Sequence, residues 1–562
     1  MKILFLGRHY TYFRNFESVL RGLAARGHSI HLAVERDESL GGLAMVETLA
    51  AEFPSITFGE APARADDEWS WVLNRLRLGL DYLRYQQPVF DTAYTLRERA
   101  RGRTPTAFVR LGRWIRRAGG WSRRLASAAV RNVERAVPDD PRLREYLESQ
   151  SPDIVLLTPL IDLGSSQIEY LRAARALRIP TGLCVWSWDH LSSKALIRDT
   201  PDRVFVWNPT QKQEAIALHG VPADRIVVTG AQCFDQWFDR EPSRHRGTFC
   251  RQIGLAASPP FVLWVCSALF QGSPVEAQFV LKWIQALRSS GSERLRNAPI
   301  LVRPHPSRLA EWQDVDLSGS NAVLWGGNPI DAQSRADYFD SLYHSAAVVG
   351  INTSAFIEAG IVGRPVHTII VPEMESNQTG TVHFNYLLNA GGGLLEVARS
   401  FDEHLTKLDA SLARSVDGVK PFVREFVRPN GLSVAATPLF VESVEAMATL
   451  QPAAPRAPAF ASLWRSLAGR AARLRDEERY EGWVLSEREL GSLQKLRESR
   501  QRKAEVRRSE REARRDEYER AREEQRAAKA RERAERETEK GRRLAEKRAR
   551  VDAERAARQR AG

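Results

Sequence analysis

Short apolar runs alternate with amphipathic helical segments along most of this chain, and the alternation recurs in two sets. Such alternation is typical of a parallel α/β sheet with crossover helices. The 562 residues also exceed the size of one compact domain. We therefore predict two doubly wound, Rossmann-like domains, at residues 1–240 and 241–450, each with its ligand edge at the carboxyl ends of its strands. The predicted strands are residues 3–6, 30–34, 153–157, 181–186, 204–206 and 226–229 in the first set, and 260–265, 300–302, 323–325 and parts of 346–370 in the second.

The segment at residues 346–370 places a polar turn directly after a predicted strand. The apolar run ends at Gly350, and Asn352, Thr353 and Ser354 stand where the next helix must start. Free backbone N–H groups and two hydroxyls would converge there, which indicates a phosphate-binding turn. The alternative is an ordinary β-α-β unit whose serine and threonine only cap their own helix.

Glu358 lies one helical turn beyond this polar group. Its carboxylate can accept hydrogen bonds from a sugar hydroxyl while the turn holds phosphate. The alternative is a solvated glutamate on a helix surface.

A second polar element, R-P-H-P, follows the predicted strand at residues 300–302. If this strand shares a sheet with the one ending at Gly350, Arg303 and His305 emerge on the same edge. A guanidinium suits two-bond contact with phosphate, and an imidazole can stabilise a departing diphosphate. An exposed loop with a surface arginine and histidine is the alternative.

The segment at residues 185–194 gathers two indoles, a carboxylate, an imidazole and hydroxyls at one strand end. Indole faces suit contact with a sugar or an isoprenoid. Asp189 or His190 could take the proton of an attacking hydroxyl group, with Asp189 slightly preferred. For each histidine, a purely structural role is the alternative.

The first glycine turn supplies further candidates. His9 is a competing base, and Gly7 is a predicted substrate-binding position in the same turn. Asp162 and Asp235 also follow predicted strands and are lesser candidates.

Residues 69–137 form an insertion with a helical pattern and no strand signal. Between Arg97 and Arg135 there are twelve arginines against Glu98 and Glu134, with aromatic and aliphatic residues interleaved. A basic helix with aromatic anchors can lie in the headgroup layer of an anionic membrane. Alternatively its apolar stripe packs on its own domain; nucleic-acid binding is a weaker third option.

The C-terminal region changes composition at a proline-rich break. Residues 451–486 are predicted to be a linker with short helices, and residues 487–562 a charged helix or disordered tail without the apolar seam of a strong coiled coil. Residues 501–560 hold 23 Lys and Arg against 15 Asp and Glu, which supplies +8 of the net charge of +13. The basic charge therefore does not indicate that the core binds nucleic acid.

Four cysteines are scattered without the spacing of a zinc site, so we expect a reduced chain with no metal site and no cofactor. The N-terminal apolar run has only four residues, and no stretch of eighteen apolar residues occurs. We expect a cytoplasmic protein that works, if at a membrane, from the inner face of the plasma membrane.

Three motifs resemble those of GT-B fold glycosyltransferases, and more closely bacterial envelope and capsule polysaccharide transferases, including CDP-glycerol glycerophosphotransferase-like proteins. They are the R-P-H-P loop, the segment G-I-N-T-S-A-F-I-E-A-G-I-V-G-R-P-V, and G-R-H-Y-T-Y-F-R-N-F-E with a later R-G-H. The resemblance covers about residues 1–445. It implies two Rossmann-like domains facing a cleft, with the acceptor on the N-terminal domain and the nucleotide-linked donor on the C-terminal one.

By this resemblance, the donor-site positions are His305, Thr353, Ser354 and Glu358. It also implies that no metal is needed, because helix N-termini and basic side chains carry the diphosphate charge. One departure concerns the E-x(7)-E signature of retaining enzymes. Seven residues separate Glu358 from Val366, so a valine stands where the signature has its second glutamate.

The predicted function is a metal-independent glycosyltransferase that moves a sugar from a UDP- or CDP-linked donor to a cell-envelope polysaccharide or lipid-linked acceptor. Two other enzymes stay open: a CDP-glycerol-type glycerophosphotransferase and a UDP-sugar 2-epimerase. From a different class, a nucleotide-sugar-binding scaffold is the non-catalytic alternative.

Overall fold

The computed structural model describes residues 1–36, 41–270, 272–414, 418–452 and 457–560. Residues 1–487 form one compact unit and residues 488–562 a second one. The described residues of the first unit form two separate parallel sheets.

Within the described part of the chain, the first sheet has seven strands. They are β1 (Lys2–Gly7), β2 (Ser29–Val34), β3 (Ile56–Glu60), β4 (Ile154–Thr158), β5 (Thr181–Cys184), β6 (Arg203–Val206) and β7 (Ile226–Val228). All pairs are parallel, in the order β3-β2-β1-β4-β5-β6-β7. The order reverses between β1 and β4, where Gly7 is in register with Thr158.

The second sheet has six strands among the residues that the structure describes. They are β8 (Val262–Val265), β9 (Ile300–Arg303), β10 (Ala322–Leu324), β11 (Ala347–Gly350), β12 (Val366–Ile369) and β13 (Leu395–Ala398). They are also parallel, in the order β10-β9-β8-β11-β12-β13. Each order places its reversal beside the first strand of the set, as in a Rossmann-like sheet, so the predicted fold class is confirmed.

Helices connect the strands and extend beyond them. The α-helices are α1 (Glu17–Ala25), α2 (Gly42–Glu52), α3 (Glu68–Arg84), α4 (Tyr94–Arg101), α5 (Thr106–Ala118), α6 (Gly120–Ala136), α7 (Pro141–Gln150), α8 (Ile168–Ala176), α9 (His190–Ser193), α10 (Pro209–His219), α11 (Asp235–Asp239), α12 (Arg246–Gln252), α13 (Glu276–Arg288), α14 (Glu293–Asn297), α15 (Ala332–Tyr343), α16 (Ala355–Ile361), α17 (Phe384–Asn389), α18 (Phe401–Ala413), α19 (Pro421–Phe426), α20 (Ala436–Glu445), α21 (Ala461–Arg473), α22 (Glu481–Val484) and α23 (Glu487–Gln559). The 3-10 helices are Tyr10–Phe16, Pro88–Phe90, Ala223–Arg225, Gln232–Phe234, Pro306–Trp312, Pro372–Asn377, Ala390–Gly392, Ala446–Thr449, Leu474–Asp476 and Glu478–Tyr480.

Two strands, β3 and β13, have no counterpart among the predicted ones. Both are edge strands, and most of their residues are exposed or half-buried. An edge strand needs no continuous apolar run, so the pattern that marks the central strands is missing there.

The basic insertion is helical, as predicted, and comprises α3 to α6. A Cβ atom at Gly112 would lie 2.5 Å from the Tyr82 ring, so α5 approaches α3 closely at this glycine. The buried Arg77 donates to Glu134 at 2.9 Å and links α3 to α6. One face of the insertion therefore packs on its own domain.

The chain returns to the first domain after the second sheet. Phe440 and Val444 of α20 lie in the same core as Phe5 and Phe16. Further on, Ala468 of α21 packs in a cluster with α3 of the insertion. The domain boundaries at residues 240 and 450 stay predictions.

The second unit is the long helix α23. Ion pairs four residues apart line it, such as Arg508 with Glu512 and Arg515 with Glu519. Such exposed pairs stabilise a helix by only about 0.3–0.5 kcal/mol each. Its described side chains from Gln494 onward are exposed, which fits a charged helix. Among the described residues, no helix of the chain has both the length and the apolar character needed to cross a membrane.

Candidate functional site

A cleft of about 470 Å³ lies where the carboxyl ends of the two sheets face each other. Its walls come from segments that follow β1, β5, β6 and β7 in the first domain and β8 to β12 in the second. Two Rossmann-like domains facing across a cleft constitute the GT-B architecture. Six of the ten predicted site residues line this cleft: Asp189, His305, Asn352, Thr353, Ser354 and Glu358.

Hydrogen bonds from Asn352 fix the polar turn after β11 to neighbouring segments of the second domain. The Asn352 backbone N–H donates to the Ser267 hydroxyl at 3.1 Å, and its side-chain amide donates to the Asn377 carbonyl at 2.5 Å. Thr353 accepts the Ala355 N–H at 3.4 Å, whereas the Ser354 side chain makes no cap hydrogen bond and is exposed. Self-capping thus describes Thr353 but not Ser354.

Ser267 is fixed in turn by a buried carboxylate. Glu276 accepts hydrogen bonds from the Ser267 N–H at 2.8 Å and from the Trp264 indole at 3.2 Å. Burial raises the pKa of Glu276 to about 7, although both hydrogen bonds act against this shift. Glu276 therefore positions Ser267, which in turn binds the polar turn, and Glu276 does not itself line the cleft.

His305 presents one ring nitrogen to the cleft. The Ser307 backbone N–H donates to Nδ1 at 3.2 Å, so the neutral ring carries its proton on Nε2. Burial and the Arg308 charge lower the pKa of His305. At neutral pH the imidazole is therefore a neutral hydrogen-bond donor.

Glu358 is the half-buried acid of the second domain's wall. It accepts a hydrogen bond from the Tyr338 hydroxyl. Burial raises the pKa of Glu358 to about 7, against the Tyr338 hydrogen bond and the charges of Arg14 and Arg303. This carboxyl group consequently titrates near neutral pH.

Arg303 does not line the cleft, contrary to our expectation for a phosphate ligand. It is buried, and its guanidinium lies 5.0 Å from the Tyr338 ring centroid and donates to the Gly327 carbonyl at 3.1 Å. A Cβ atom at Gly326 would lie 2.4 Å from this guanidinium. Arg303 therefore packs on Tyr338, which lines the cleft. A direct contact between Arg303 and substrate stays a prediction.

Asp189 lies in the first domain's wall. Both carboxylate oxygens are used, because the hydroxyls of Ser187 and Ser193 donate to them at 2.6 and 2.7 Å. Burial disfavours its charge, but Lys194, His383 and the two serine hydrogen bonds hold the pKa of Asp189 below its usual range. An acid that stays ionised in this way is a weak base and a strong local anion.

His383 is a cleft residue that we did not predict from the sequence. It precedes α17 and packs edge-on against Trp188, with ring centroids 4.9 Å apart. Burial lowers the pKa of His383 to about 4, although the Asp189 charge acts in the opposite direction. At neutral pH this imidazole is therefore neutral, and it lies where the Asp189 charge acts on it. Its position after β12, at the carboxyl edge of a parallel sheet, was the available sequence signal.

The other three predicted residues lie outside the cleft lining. His190 is buried, accepts the Trp186 N–H at Nδ1 at 3.3 Å, and has its pKa lowered to about 3 by burial. His9 packs on Tyr12 with ring centroids 4.5 Å apart. At Gly7 an added Cβ would lie 2.7 Å from the Phe13 ring, so this glycine permits close packing. Substrate roles for these three residues stay predictions.

The two lesser candidates have structural partners. Asp162 pairs with Arg8. Asp235 accepts the backbone N–H groups of Ala436 and Thr437 at 3.0 and 2.7 Å and pairs with Arg428 at 3.1 Å. Asp235 therefore anchors the start of α20 to the first domain.

Three arginines that line the cleft differ in whether they have a protein partner. Arg335 pairs with Glu17 at 3.2 Å across the two domains, and Arg99 donates to the Ser193 carbonyl. Arg14 is exposed and makes no ion pair or hydrogen bond with any described residue. Within the described ranges, no three His, Cys, Asp or Glu side chains are grouped to hold a metal ion.

No protein-family profile matches this sequence, and no curated protein matches it. Several solved structures are similar in fold. The UDP-GlcNAc 2-epimerase of Methanocaldococcus jannaschii in complex with UDP-GlcNAc and UDP is 10% identical, over 79% of this chain and 99% of that chain, with a TM-score of 0.45. The Neisseria meningitidis UDP-GlcNAc 2-epimerase bound to UDP-GlcNAc is 12% identical, over 79% and 100%, with a TM-score of 0.42. A glycosyltransferase from Rickettsia africae is 11% identical, over 85% and 99%, with a TM-score of 0.41.

Proposed function

We propose that this protein is a metal-independent glycosyltransferase that uses a nucleotide-diphosphate sugar as donor. One observation carries the proposal: Ser354 and His305 of one domain line the same cleft as Arg14 of the other. Among the described residues, the Ser354 hydroxyl, the His305 Nε2 and the Arg14 guanidinium make no hydrogen bond or ion pair with another protein group, although the Arg14 charge acts on Glu358. Two neutral donors and a cation left free in one cleft suit a diphosphate.

The donor sits on the second domain in this proposal. Ser354 and His305 donate to the diphosphate oxygens, and Arg14 supplies positive charge from the opposite wall. Glu358, in its ionised form, accepts a hydrogen bond from a ribose or sugar hydroxyl. The cleft volume of about 470 Å³ falls in the usual range for a site of this kind.

The attacking hydroxyl lies on the side of Asp189. His383 takes the hydroxyl proton as the acceptor oxygen bonds to the anomeric carbon, and the bond from that carbon to the diphosphate oxygen breaks. The electron pair leaves with the nucleoside diphosphate, which His305, Ser354 and Arg14 stabilise. Asp189 stabilises the imidazolium of His383, and Trp188 fixes the ring.

The acceptor is proposed to be a cell-envelope glycan or a lipid-linked sugar. Trp186 and Trp188 both line the cleft on the acceptor side, where indole faces suit a sugar ring.

The test is a binding and turnover screen of the purified full chain. We expect one of UDP, CDP and their sugar conjugates to bind in calorimetry, and Ser354→Ala and His305→Ala each to weaken binding about 5-fold to 100-fold. Matched controls are Ser462→Ala and His245→Ala, which remove an exposed hydroxyl and an exposed imidazole outside the cleft. Unchanged affinity in both site variants would overturn the donor site.

Turnover distinguishes the reaction. Release of the nucleoside diphosphate only with an acceptor supports glycosyl transfer. Release of CMP from CDP-glycerol indicates glycerophosphate transfer, in which the bond to phosphorus breaks. Isomerisation of the donor sugar without an acceptor, followed by proton NMR, indicates a 2-epimerase. Binding without any turnover across the acceptor panel indicates a scaffold.

A further inference from the structure

The α5–α6 hairpin exposes large apolar side chains on a basic background. Arg110, Arg113, Trp114 and Arg117 of α5 are exposed at the spacing of one helix face, and Trp114 is 55% exposed. This tryptophan is open to solvent and flanked by three arginines, whereas most tryptophans of the described residues are buried or half-buried.

The next helix repeats the arrangement. Trp121, Arg124 and Leu125 of α6 share one face, and the two apolar side chains are 63% and 62% exposed. The hairpin thus presents two indoles and a leucine, together with their arginines, on either side of the Gly119 and Gly120 turn.

A third indole comes from far along the chain. Trp483 of α22 is 49% exposed, and the Arg110 guanidinium lies 4.0 Å from its ring centroid. Among the described residues, the tryptophans in the exposed class are Trp114, Trp121 and Trp483 alone. We define the tryptophan–arginine face by these residues: Arg110, Arg113, Trp114, Arg117, Trp121, Arg124, Leu125 and Trp483.

The positive charge of this face is not neutralised. The sequence contains no Asp or Glu from residue 99 to residue 133. Arg113, Arg117 and Arg124 make no ion pair within the part of the chain that the structure describes, whereas Arg116 pairs with Asp91 at 3.2 Å. An external anion can therefore approach three arginines without displacing an internal partner.

We propose that the tryptophan–arginine face docks on an anionic lipid bilayer. Indoles are stable at the headgroup level, Leu125 reaches the acyl boundary, and arginines bind lipid phosphates. A single-stranded nucleic acid fits less well, because the Trp483 ring is already covered by Arg110 and Leu125 offers no stacking surface. This docking is independent of the transferase proposal. If both proposals hold, docking brings the first domain, and with it the acceptor side of the cleft, to a lipid-linked acceptor.

The experiment is flotation of the full chain with phosphatidylcholine vesicles, with and without phosphatidylserine. We expect binding to the anionic vesicles only, weakened by added salt. The combined Arg113→Glu, Arg117→Glu and Arg124→Glu variant should lose at least about 100-fold in partitioning, about 5-fold for each charge removed. Trp114→Ser with Trp121→Ser should weaken binding while the charge is unchanged.

The matched control carries the same charge change elsewhere: Arg246→Glu, Arg251→Glu and Arg424→Glu, three exposed arginines of the second domain. It should float like the unmodified protein. Circular dichroism and unchanged nucleotide binding show that each variant is folded. Equal flotation of the two triple variants would overturn the proposal and place any binding elsewhere, for example on α23. Binding of single-stranded RNA by this face, without flotation, would also overturn it.

Discussion

The His383 imidazole of the second domain packs edge-on against the Trp188 indole of the first, with ring centroids 4.9 Å apart and an interplanar angle of 84°. This contact crosses the cleft and brings the ring next to Asp189. The proposed base and its proposed anion therefore come from different domains.

His383→Ala should lower kcat about 10²-fold to 10⁴-fold while the affinity for the donor nucleotide changes little. The reason is that the imidazole acts on the acceptor hydroxyl, not on the diphosphate. Since burial lowers the pKa of His383 to about 4, the rate should rise as pH rises through about 4 and not depend on this group at neutral pH. Steady-state kinetics with calorimetry checks both parts, with His245→Ala as control. An unaltered kcat would remove His383 from the mechanism.

Tyr338→Phe should move the pH dependence of nucleotide binding. If ionised Glu358 accepts a hydrogen bond from the ligand, affinity increases as pH rises through about 7, the pKa of this carboxyl group. The Tyr338 hydrogen bond lowers that pKa, so its removal should shift the midpoint to higher pH. Calorimetry from pH 6 to 9 measures the shift, where about one pH unit is the scale of one such bond.

The control for this pH series is Tyr343→Phe, which removes a hydroxyl outside the cleft. An identical midpoint in wild-type protein and Tyr338→Phe would contradict the role of Glu358. A pH dependence of nucleotide binding that persists in Glu358→Gln would show that another group titrates.

The polar turn and its neighbours could be located from the sequence because each follows a strand directly. Gly350 ends β11 and His305 follows β9, and parallel strands bring such positions to one edge. The place of Ser354, His305 and Glu358 on the cleft wall could therefore be predicted from local pattern, whereas their roles stay predictions. The central strands were equally recognisable, since both of their faces are buried and their apolar runs are continuous.

The remaining features depend on contacts between distant residues. The position of Arg303 is set by Tyr338 and Gly326, and no local pattern specifies that the guanidinium turns away from the cleft. The environment of Asp189 depends on His383 from the other domain. The exposed indole of Trp483 lies beside Arg110, more than three hundred residues earlier in the chain. Such pairings follow from tertiary packing and not from periodicity.

Glu276→Gln should change how stability depends on pH. The pKa of Glu276 is raised from 4.5 to about 7 in the folded protein, so the folded state binds a proton more tightly than the unfolded state. Its contribution to the free energy of unfolding is full below pH 4.5 and is lost as pH rises to about 7, up to about 3 kcal/mol. Denaturant unfolding at pH 5 and pH 7.5 should show a smaller loss in Glu276→Gln than in the wild type. Equal losses, or the same change in the surface control Glu293→Gln, would refute this assignment.

Asp235→Ala should destabilise the protein by about 2–4 kcal/mol, because four hydrogen-bond donors lose their acceptor at the start of α20. Those donors are the N–H groups of Ala436 and Thr437, the Thr437 hydroxyl and the Arg428 guanidinium. Since α20 carries Phe440 into the first domain's core, the helix should loosen from that core. Urea unfolding measures the change, and Asp224→Ala, which removes an exposed carboxylate nearby in the same domain, is the control.

The same variant separates an anchoring role from a chemical one. At a temperature where Asp235→Ala is still folded, kcat should stay within about 3-fold of the wild type, because its carboxylate oxygens already accept from α20 and Arg428 and do not line the cleft. Asp235→Asn, which keeps one acceptor oxygen, should recover part of the lost stability. A large loss of kcat in Asp235→Asn without a loss of stability would instead return Asp235 to the acceptor site, as its position after β7 first indicated.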